Sequence, residues 1–318
     1  MESTSDSHTE GDASRVLLAT DFSRAAEAAA EWTLALCRHS SAELTVGHCV
    51  DGLVDSVFYF DDPRAEAHAN ATRSAKEHLA TYAGRFGDLP RVSTKLVDGV
   101  PWRGIVELAE ELESDLVVVG TRGLRGLDKL LLGSTARAVI QHCASPVLTV
   151  PSGAAPRDEA ISPSGGDLHV VFATDFSQAA AAALDGALHL LPAPSRLTLL
   201  NVYASPYLEV PYAAMPTQTD LLAQARRGSE RELQRLAEQL GGRLAEDTEI
   251  AVAALEGYPP TAIVDFATTA RQRGLPPVDL LVLGTHGRSG LGHLVLGSVA
   301  ERTVQSSPVP VLTVRSSG

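Results

Sequence analysis

Lysine is scarce in this chain of 318 residues, and its scarcity excludes one class of phosphate site. Only Lys76, Lys95 and Lys129 occur, and none of them follows a glycine. The phosphate loop of nucleotide hydrolases needs a Gly-Lys-Ser/Thr sequence, because its lysine neutralises the transferring phosphate. That loop is therefore absent from the sequence.

Cysteine is also scarce, and it forms no metal-binding pattern. Cys37, Cys49 and Cys143 show no CxxC or zinc-like spacing. Each lies in an apolar or helical context, so we interpret all three as buried thiols. Unpaired thiols indicate a reducing compartment, and the cytoplasm fits best.

Acidic residues outnumber basic ones, which gives a net charge of −13. This balance argues against a nucleic-acid-binding surface, which would need clustered Lys and Arg. No apolar run is long enough to span a membrane. Residues 1–13 are acidic and polar and lack the basic start and apolar core of a signal peptide, so we expect a disordered leader there.

Strand-like and helix-like segments alternate along residues 14–150. Buried-strand patterns begin near Arg15, Leu44, Val92, Asp115 and Pro146, and helical patterns lie between them. Such alternation indicates a parallel sheet with helices on both of its faces. We therefore expect residues 14–150 to form one α/β domain.

The same plan starts again after residues 151–166, which have the composition of a linker. Val16-Leu-Leu-Ala-Thr-Asp-Phe-Ser is matched by Val170-Val-Phe-Ala-Thr-Asp-Phe-Ser, and the last strand of the first half is matched near the end of the chain. The sequence therefore predicts a second domain of the same fold at residues 167–315.

A glycine-rich loop follows the fourth strand of each half, and a helical pattern follows the loop. The first runs from Gly120 through Gly123 to Gly133-Ser134, and the spacing is repeated at Gly284, Gly287 and Gly297-Ser298. Glycine tolerates positive φ and lets backbone amides approach a ligand. A helix N-terminus adds unpaired N–H groups and a positive dipole end, so the pattern indicates a phosphate site. Glycines that only allow tight strand-to-helix packing are the alternative.

Asp21 and Asp175 end the first strand of their respective halves. Ligands of open parallel sheets bind beyond the carboxyl ends of the strands, where the strand order reverses. We therefore expect each carboxylate to face the glycine-rich loop of its half across one crevice. Capping of the following helix is the alternative role for both residues.

Other polar residues carry weaker signals. Four loop side chains could reach phosphate oxygens, although charges in such positions are more often solvated: Arg122, Arg125, His286 and Arg288. His48 and Asn201 occupy matching strand positions, and we interpret His48 as a hydrogen-bonded strand residue. The Arg- and Glu-rich helix at residues 219–240 is interpreted as a solvated face.

Familiar catalytic patterns are missing. No Gly-x-Ser-x-Gly elbow occurs. Asp98 could serve as the acceptor of a phospho-receiver domain, but Pro151 rather than a lysine follows the fifth strand. A slow hydrolase or phosphotransferase, with Asp21 and Asp175 anchoring a metal, remains a weaker alternative. Vigorous catalysis is not expected.

The sequence resembles the universal stress protein family in its tandem two-domain form. The resemblance rests on Ala-Thr-Asp-Phe-Ser at residues 19–23 and 173–177, on both glycine-rich loops, and on the final Val-Leu-Thr-Val strands. It implies two tandem, doubly wound, five-stranded parallel-sheet domains that are Rossmann-like and similar to adenine-nucleotide alpha hydrolases. It also implies binding of ATP, with or without Mg²⁺.

The resemblance assigns matching positions in the two halves to the nucleotide. In the first half these are Ala19, Asp21, Cys49 and Val119 on the adenine and ribose side, and Gly120, Gly123, Gly133, Ser134 and Thr135 around ribose and phosphates. In the second half they are Ala173, Asp175, Val202, Leu283, Gly284, Gly287, Gly297, Ser298 and Val299.

Family domains often pair through their last strands, which implies an intramolecular pseudo-dimer with residues 147–150 beside residues 311–314. A homodimer and an unknown protein partner stay open. The leading hypothesis is a cytoplasmic adenine-nucleotide-binding regulator or sensor of the stress response with little or no turnover. The rival hypothesis is a protein-interaction scaffold whose glycine-rich loops are architectural.

Overall fold

The computed structural model describes residues 14–40, 42–51, 63–121, 132–157, 160–161, 166–203, 218–285 and 296–315. The elements of the first half are β1 (Arg15–Ala19), α1 (Arg24–His39), β2 (Glu43–Asp51), α2 (Pro63–Ala83), β3 (Val92–Gly99), α3 (Pro101–Glu111), β4 (Leu116–Gly120), α4 (Ser134–His142) and β5 (Val147–Val150). Those of the second half are β6 (His169–Ala173), α5 (Gln178–Leu190), β7 (Arg196–Tyr203), α6 (Gln218–Leu240), β8 (Glu249–Glu256), α7 (Pro259–Thr269), β9 (Leu280–Gly284), α8 (Ser298–Ser306) and β10 (Val311–Val314).

Each half contains a five-stranded parallel sheet, which confirms the expected fold class. The strand order β3-β2-β1-β4-β5 in the first half is repeated as β8-β7-β6-β9-β10 in the second. The order reverses between β1 and β4, and again between β6 and β9. Strand-end residues meet there, since Ala19 is in register with Val119 and Ala173 with Leu283.

The two sheets join into one sheet of ten strands through the antiparallel pair β5–β10. Leu148 lies opposite Leu312, and the flanking threonine hydroxyls donate symmetrically, Thr149 to the Val311 carbonyl and Thr313 to the Val147 carbonyl. A pseudo-twofold axis therefore passes through the leucine pair. The last strands of the halves are paired in this structure as expected.

Side chains alternate across the sheet and so build a core on each face. In β1, Leu18 belongs to the core under α1 and α2, whereas Leu17 belongs to the core under α3 and α4. The second half repeats this arrangement with α5 and α6 on one face and α7 and α8 on the other. The carboxyl ends of β1, β4, β6 and β9 thereby lie at one edge of each sheet.

The helix expected at residues 219–240 is α6, which begins at Gln218. In the first half, α2 is followed by a 3-10 turn at Gly84–Phe86. Pro101 opens α3, as its fixed φ and missing N–H favour.

Candidate functional site

The residues after β1 and after β6 form the same tight turn. The Thr20 hydroxyl oxygen accepts the N–H of Phe22 at 3.0 Å, and Asp21 Oδ1 accepts the N–H of Ser23 at 3.0 Å. The second half repeats these bonds with Thr174 and Asp175, at 2.9 and 3.0 Å. Both half-buried aspartates are thereby held at the carboxyl end of their sheet.

The turn requires a left-handed backbone at a phenylalanine. Phe22 has φ 61° and Phe176 has φ 63°, a conformation that costs free energy for a residue with a Cβ. Its occurrence at the same position of both halves marks the strand end as a specially shaped site. The Phe22 ring is fixed by His48 at 4.6 Å and Tyr82 at 5.4 Å between ring centres.

Helix capping is the role of the serines rather than of the aspartates. Ser23 Oγ accepts the N–H of Ala26 at 3.3 Å and caps α1, and Ser177 Oγ accepts that of Ala180 at 3.1 Å and caps α5. Each aspartate acts one step earlier, because its Oδ1 fixes the backbone of the capping serine. The alternative role considered for Asp21 and Asp175 therefore applies only indirectly.

The ends of each glycine-rich loop are tied together at the sheet edge. The Gly133 N–H donates to the Thr121 carbonyl at 2.8 Å, and the Gly297 N–H donates to the Thr285 carbonyl at 2.8 Å. Six residues singled out in the sequence lie outside the described residues: Arg122, Gly123, Arg125, His286, Gly287 and Arg288.

Helices α4 and α8 begin without a capping side chain. Gly133 and Gly297 are their N-cap residues, and neither offers a side-chain acceptor to the first turn. The first N–H groups of both helices therefore point outward, beside Ser134 and Ser298, both of which are exposed. An anion at this place would complete the hydrogen bonding of the first turn.

Positive φ is not the reason for these glycines. Gly133 has φ −59° and ψ 142°, and Gly297 has φ −59° and ψ 139°, which any residue can adopt. Gly120 is instead required by packing, because a Cβ there would lie 2.7 Å from the backbone carbon of Ala25 in α1. The expectation based on positive φ is wrong at Gly133 and Gly297, and tight strand-to-helix packing accounts for Gly120.

A cavity of about 330 Å³ lies at the carboxyl edge of the second sheet. Eight of the nine positions that the resemblance assigned in this half line it together: Ala173, Asp175, Val202, Leu283, Gly284, Gly297, Ser298 and Val299. The ninth, Gly287, lies outside the described residues. The lining of the cavity thus combines an apolar wall, a carboxylate and a helix N-terminus.

Sequence reasoning missed part of this lining, namely Thr174, Ala180, Leu200, Pro259, Ile263, Thr285 and Ala300. Two signals point to Leu200 and Pro259. Leu200 lies two residues before Val202 and so shares its face of β7. Pro259 lies two residues after Gly257, and Pro101 lies two residues after Gly99, so both halves carry a Gly-x-Pro pattern. The φ values of 147° at Gly257 and 123° at Gly99 favour glycine at both positions.

The first half places its corresponding residues at the same edge, with smaller or more polar side chains on β2. Gly47 stands where β7 has Leu200, and a Cβ there would contact Leu108 at 3.0 Å. Cys49 stands where β7 has Val202, and burial, reinforced by Asp98 and Asp51, raises the pKa of its thiol to about 11. Cys49 is therefore a neutral group, and it is half-buried, so the interpretation of all three cysteines as buried thiols is wrong at this position, whereas Cys37 and Cys143 are buried.

His48 and Asn201 each stabilise one of the strand-end turns through a hydrogen bond. The His48 Nδ1–H donates to the Thr20 carbonyl at 2.7 Å, and Asn201 Nδ2 donates to the Thr174 carbonyl at 2.7 Å. Asn201 also accepts the Ser229 hydroxyl at 2.7 Å. The interpretation of His48 as a hydrogen-bonded strand residue is confirmed.

Two searches of the described residues were negative. Nowhere among them do three His, Cys, Asp or Glu side chains cluster as a metal site requires. Within the same ranges, no helix combines the length and apolarity needed to cross a membrane.

Comparison with known proteins agrees with the repeated fold. The model of the universal stress protein family matches residues 13–151 and again residues 168–315. The chain belongs to the universal stress protein family. Universal stress protein Rv2005c of Mycobacterium tuberculosis is 28% identical over 319 residues, covering 95% of this chain and 97% of that protein.

Other relatives are similar to one half or to the overall fold. A universal stress protein of Thermus aquaticus is 32% identical over 135 residues, covering 42% of this chain and 96% of its own length. The crystal structure of a universal stress protein from Archaeoglobus fulgidus has a TM-score of 0.62 at 21% identity, with 95% of this chain and 96% of that chain covered. That structure supports the fold alone.

Proposed function

We propose that each half binds one adenine nucleotide, with ATP as the main ligand, at the carboxyl edge of its sheet. The observation that carries this proposal is the cavity beside Asp175 and the N-terminus of α8. Its volume of about 330 Å³ is of the size that small-molecule sites have. Together with the repeated turn after β1 and the uncapped α4, it supports a matching site in the first half.

The cavity offers a different surface to each part of a nucleotide. Leu200, Val202 and Ile263 supply an apolar wall for a purine ring. The Asp175 carboxylate can accept hydrogen bonds from ribose hydroxyls, as acidic residues do in related folds. The outward N–H groups and dipole of α8 favour phosphate, and a nucleotide would bring Mg²⁺ with its own phosphates.

Regulation rather than turnover follows from the side chains that the chain offers. No lysine exists in the second half to neutralise a transferring phosphate, and no Gly-Lys pair exists in either half. We therefore propose a nucleotide-dependent regulator of the stress response that works in the cytoplasm, where its free thiols would persist. A scaffold with architectural glycines is the second candidate, and the packing of Gly120 against α1 favours it.

Calorimetric titration with ATP, AMP and a cyclic nucleotide tests the proposal. Ser134→Asp and Ser298→Asp each place a carboxylate at the start of one helix, which repels phosphate yet stabilises the helix itself. We expect two sites in the natural chain and one in each variant. Ser306→Asp, at the far end of α8, is the control and should keep both sites. Unchanged binding in both helix-start variants would contradict the phosphate assignment.

A further inference from the structure

An arginine and a tyrosine are paired next to the lining of the second-half cavity. Arg302 lies in α8 and is exposed. Its Nη1 donates to the Tyr258 hydroxyl, and its guanidinium carbon lies 5.6 Å from the centre of that ring. Tyr258 is the N-cap of α7 and directly precedes Pro259, which lines the cavity. The Tyr258–Arg302 pair therefore adjoins Pro259 of the cavity lining.

Helix geometry also places Arg302 near the start of α8. Arg302 follows Ser298 by four residues, which is about 6 Å along the helix axis. Side chains of a helix lean toward its N-terminus, so Arg302 extends back over the first turn. Tyr258 is 52% exposed, so its contact with Arg302 is a surface contact that a ligand can replace.

The first half lacks this pair. The positions corresponding to Tyr258 and Arg302 are Val100 and Ala138, neither of which can supply a charge or a stacking surface. The neighbouring Arg137 faces the other way, because it forms an ion pair with Glu301 across the pseudo-twofold axis at 2.5 Å.

Another first-half cation, which belongs to α3, is held toward the C-terminal end of α4. Arg103 lies over the Trp102 ring at 5.5 Å, and that ring stacks on His142 at 4.7 Å. His142 is the last residue of α4, whereas the start of α4 corresponds to the phosphate end of α8. Among the described residues, an arginine held beside the site by a rim tyrosine is thus a feature of the second half.

We propose that Arg302 moves from Tyr258 onto the terminal phosphates of a bound nucleotide and makes the second site selective for triphosphates over monophosphates. The planar guanidinium can contact two phosphate oxygens at once, and Tyr258 holds it near the site before such a contact forms. The first site lacks this selectivity. This inference rests on the proposed nucleotide binding and names the part of the ligand that the second site recognises.

Calorimetry on full-length chains with one blocked site tests the inference. In the Ser134→Asp background, which leaves the second site, Arg302→Ala should weaken ATP binding about tenfold and leave AMP binding unchanged. Arg302→Lys keeps a positive charge without the planar guanidinium, so its affinity for ATP should lie between that of the chain with Arg302 and that of Arg302→Ala. In the Ser298→Asp background, Arg302→Ala should change nothing.

Arg273→Ala is the matched control, because it removes a cation that lies over Phe266, on the part of α7 remote from its N-terminus. It should leave ATP and AMP affinities unchanged in the Ser134→Asp background. An equal loss for ATP and AMP on Arg302→Ala, or no loss for either, would overturn the selectivity role while nucleotide binding itself stands. A natural chain that binds no nucleotide would overturn the proposed function and this inference together.

Discussion

The segment between the two halves forms hydrogen bonds with both of them. Replacing Arg157 by alanine should show how much these bonds contribute to the free energy of unfolding. Ala154 accepts the indole N–H of Trp32 in α1 at 2.7 Å. Arg157 binds Asp279, which directly precedes β9, through two parallel bonds of 2.6 Å. The Asp279 carboxylate also accepts the N–H of His169 at 2.9 Å.

The expected loss follows from the burial of the pair. The Asp279 side chain is 4% exposed, so Arg157→Ala would leave a buried carboxylate with its backbone donor but without its cation. Breaking a buried pair in this way costs about 3–5 kcal/mol. Because Arg157 is itself 30% exposed and water can enter in its place, we expect roughly 2–3 kcal/mol. For domains of about 150 residues, that loss lowers Tm by about 5–10 °C.

Thermal and urea unfolding followed by circular dichroism and tryptophan fluorescence provide the assay. Both tryptophans, Trp32 and Trp102, lie in the first half, so fluorescence reports that half whereas circular dichroism reports both. If the halves unfold together, both midpoints should fall in Arg157→Ala.

Two further variants separate charge from packing. Arg38→Ala removes an arginine whose pair with Asp88 is about half exposed on both sides, and it should leave the free energy of unfolding nearly unchanged because water screens such a pair. Adding Asp279→Asn to Arg157→Ala should recover part of the loss, because the amide oxygen still accepts the backbone N–H without carrying a charge. An Arg157→Ala midpoint equal to that of Arg38→Ala would refute the reasoning.

Three other predictions concern packing, pairing and pH. Gly120→Ala should destabilise the chain by about 3 kcal/mol in urea unfolding, since its Cβ would meet the backbone of α1, whereas Gly84→Ala, with nothing within 4 Å, should be nearly neutral. A double-mutant cycle on Arg137 and Glu301, which are 58% and 28% exposed, should give a coupling of about 0.5 kcal/mol that disappears in high salt; a coupling unaffected by salt would be inconsistent with an ion pair. Burial lowers the pKa of His169 below its ordinary 6.5, so below that pH the unfolded chain binds more protons, and the stability held above pH 6.5 is lost as the pH falls. His169→Gln should flatten that acid-side loss, and an unchanged slope would show that other groups cause it.

Most of the fold could be predicted because the two halves of the sequence repeat the same pattern. Asp21 and Asp175 follow apolar runs, and parallel strands bring such strand ends to one edge, so their placement beside β4 and β9 could be predicted. The pairing of residues 147–150 with residues 311–314 was implied by the family resemblance, whereas its register, with Leu148 opposite Leu312, comes from the structure. Interstrand registers of this kind depend on long-range contacts that no local pattern specifies.

The parts that could not be predicted depend on close approach in three dimensions. Nothing in the sequence distinguishes Gly120, which is limited by the backbone of α1, from Gly133, whose backbone any residue could adopt. The left-handed turn at Phe22 was missed because a phenylalanine gives no signal for positive φ. Arg157 lies in a stretch of linker composition, and only the fold reveals its buried partner, Asp279.

Equilibrium dialysis of the purified natural chain against radiolabelled ATP, with mass spectrometry of any nucleotide released on denaturation, tests the central claim most directly. We expect two nucleotides per chain at saturation, one for each half. Ser134→Asp and Ser298→Asp should each reduce that number to one. A chain that releases no nucleotide and retains none in dialysis would contradict nucleotide binding and leave both glycine-rich loops as parts of a protein-interaction scaffold.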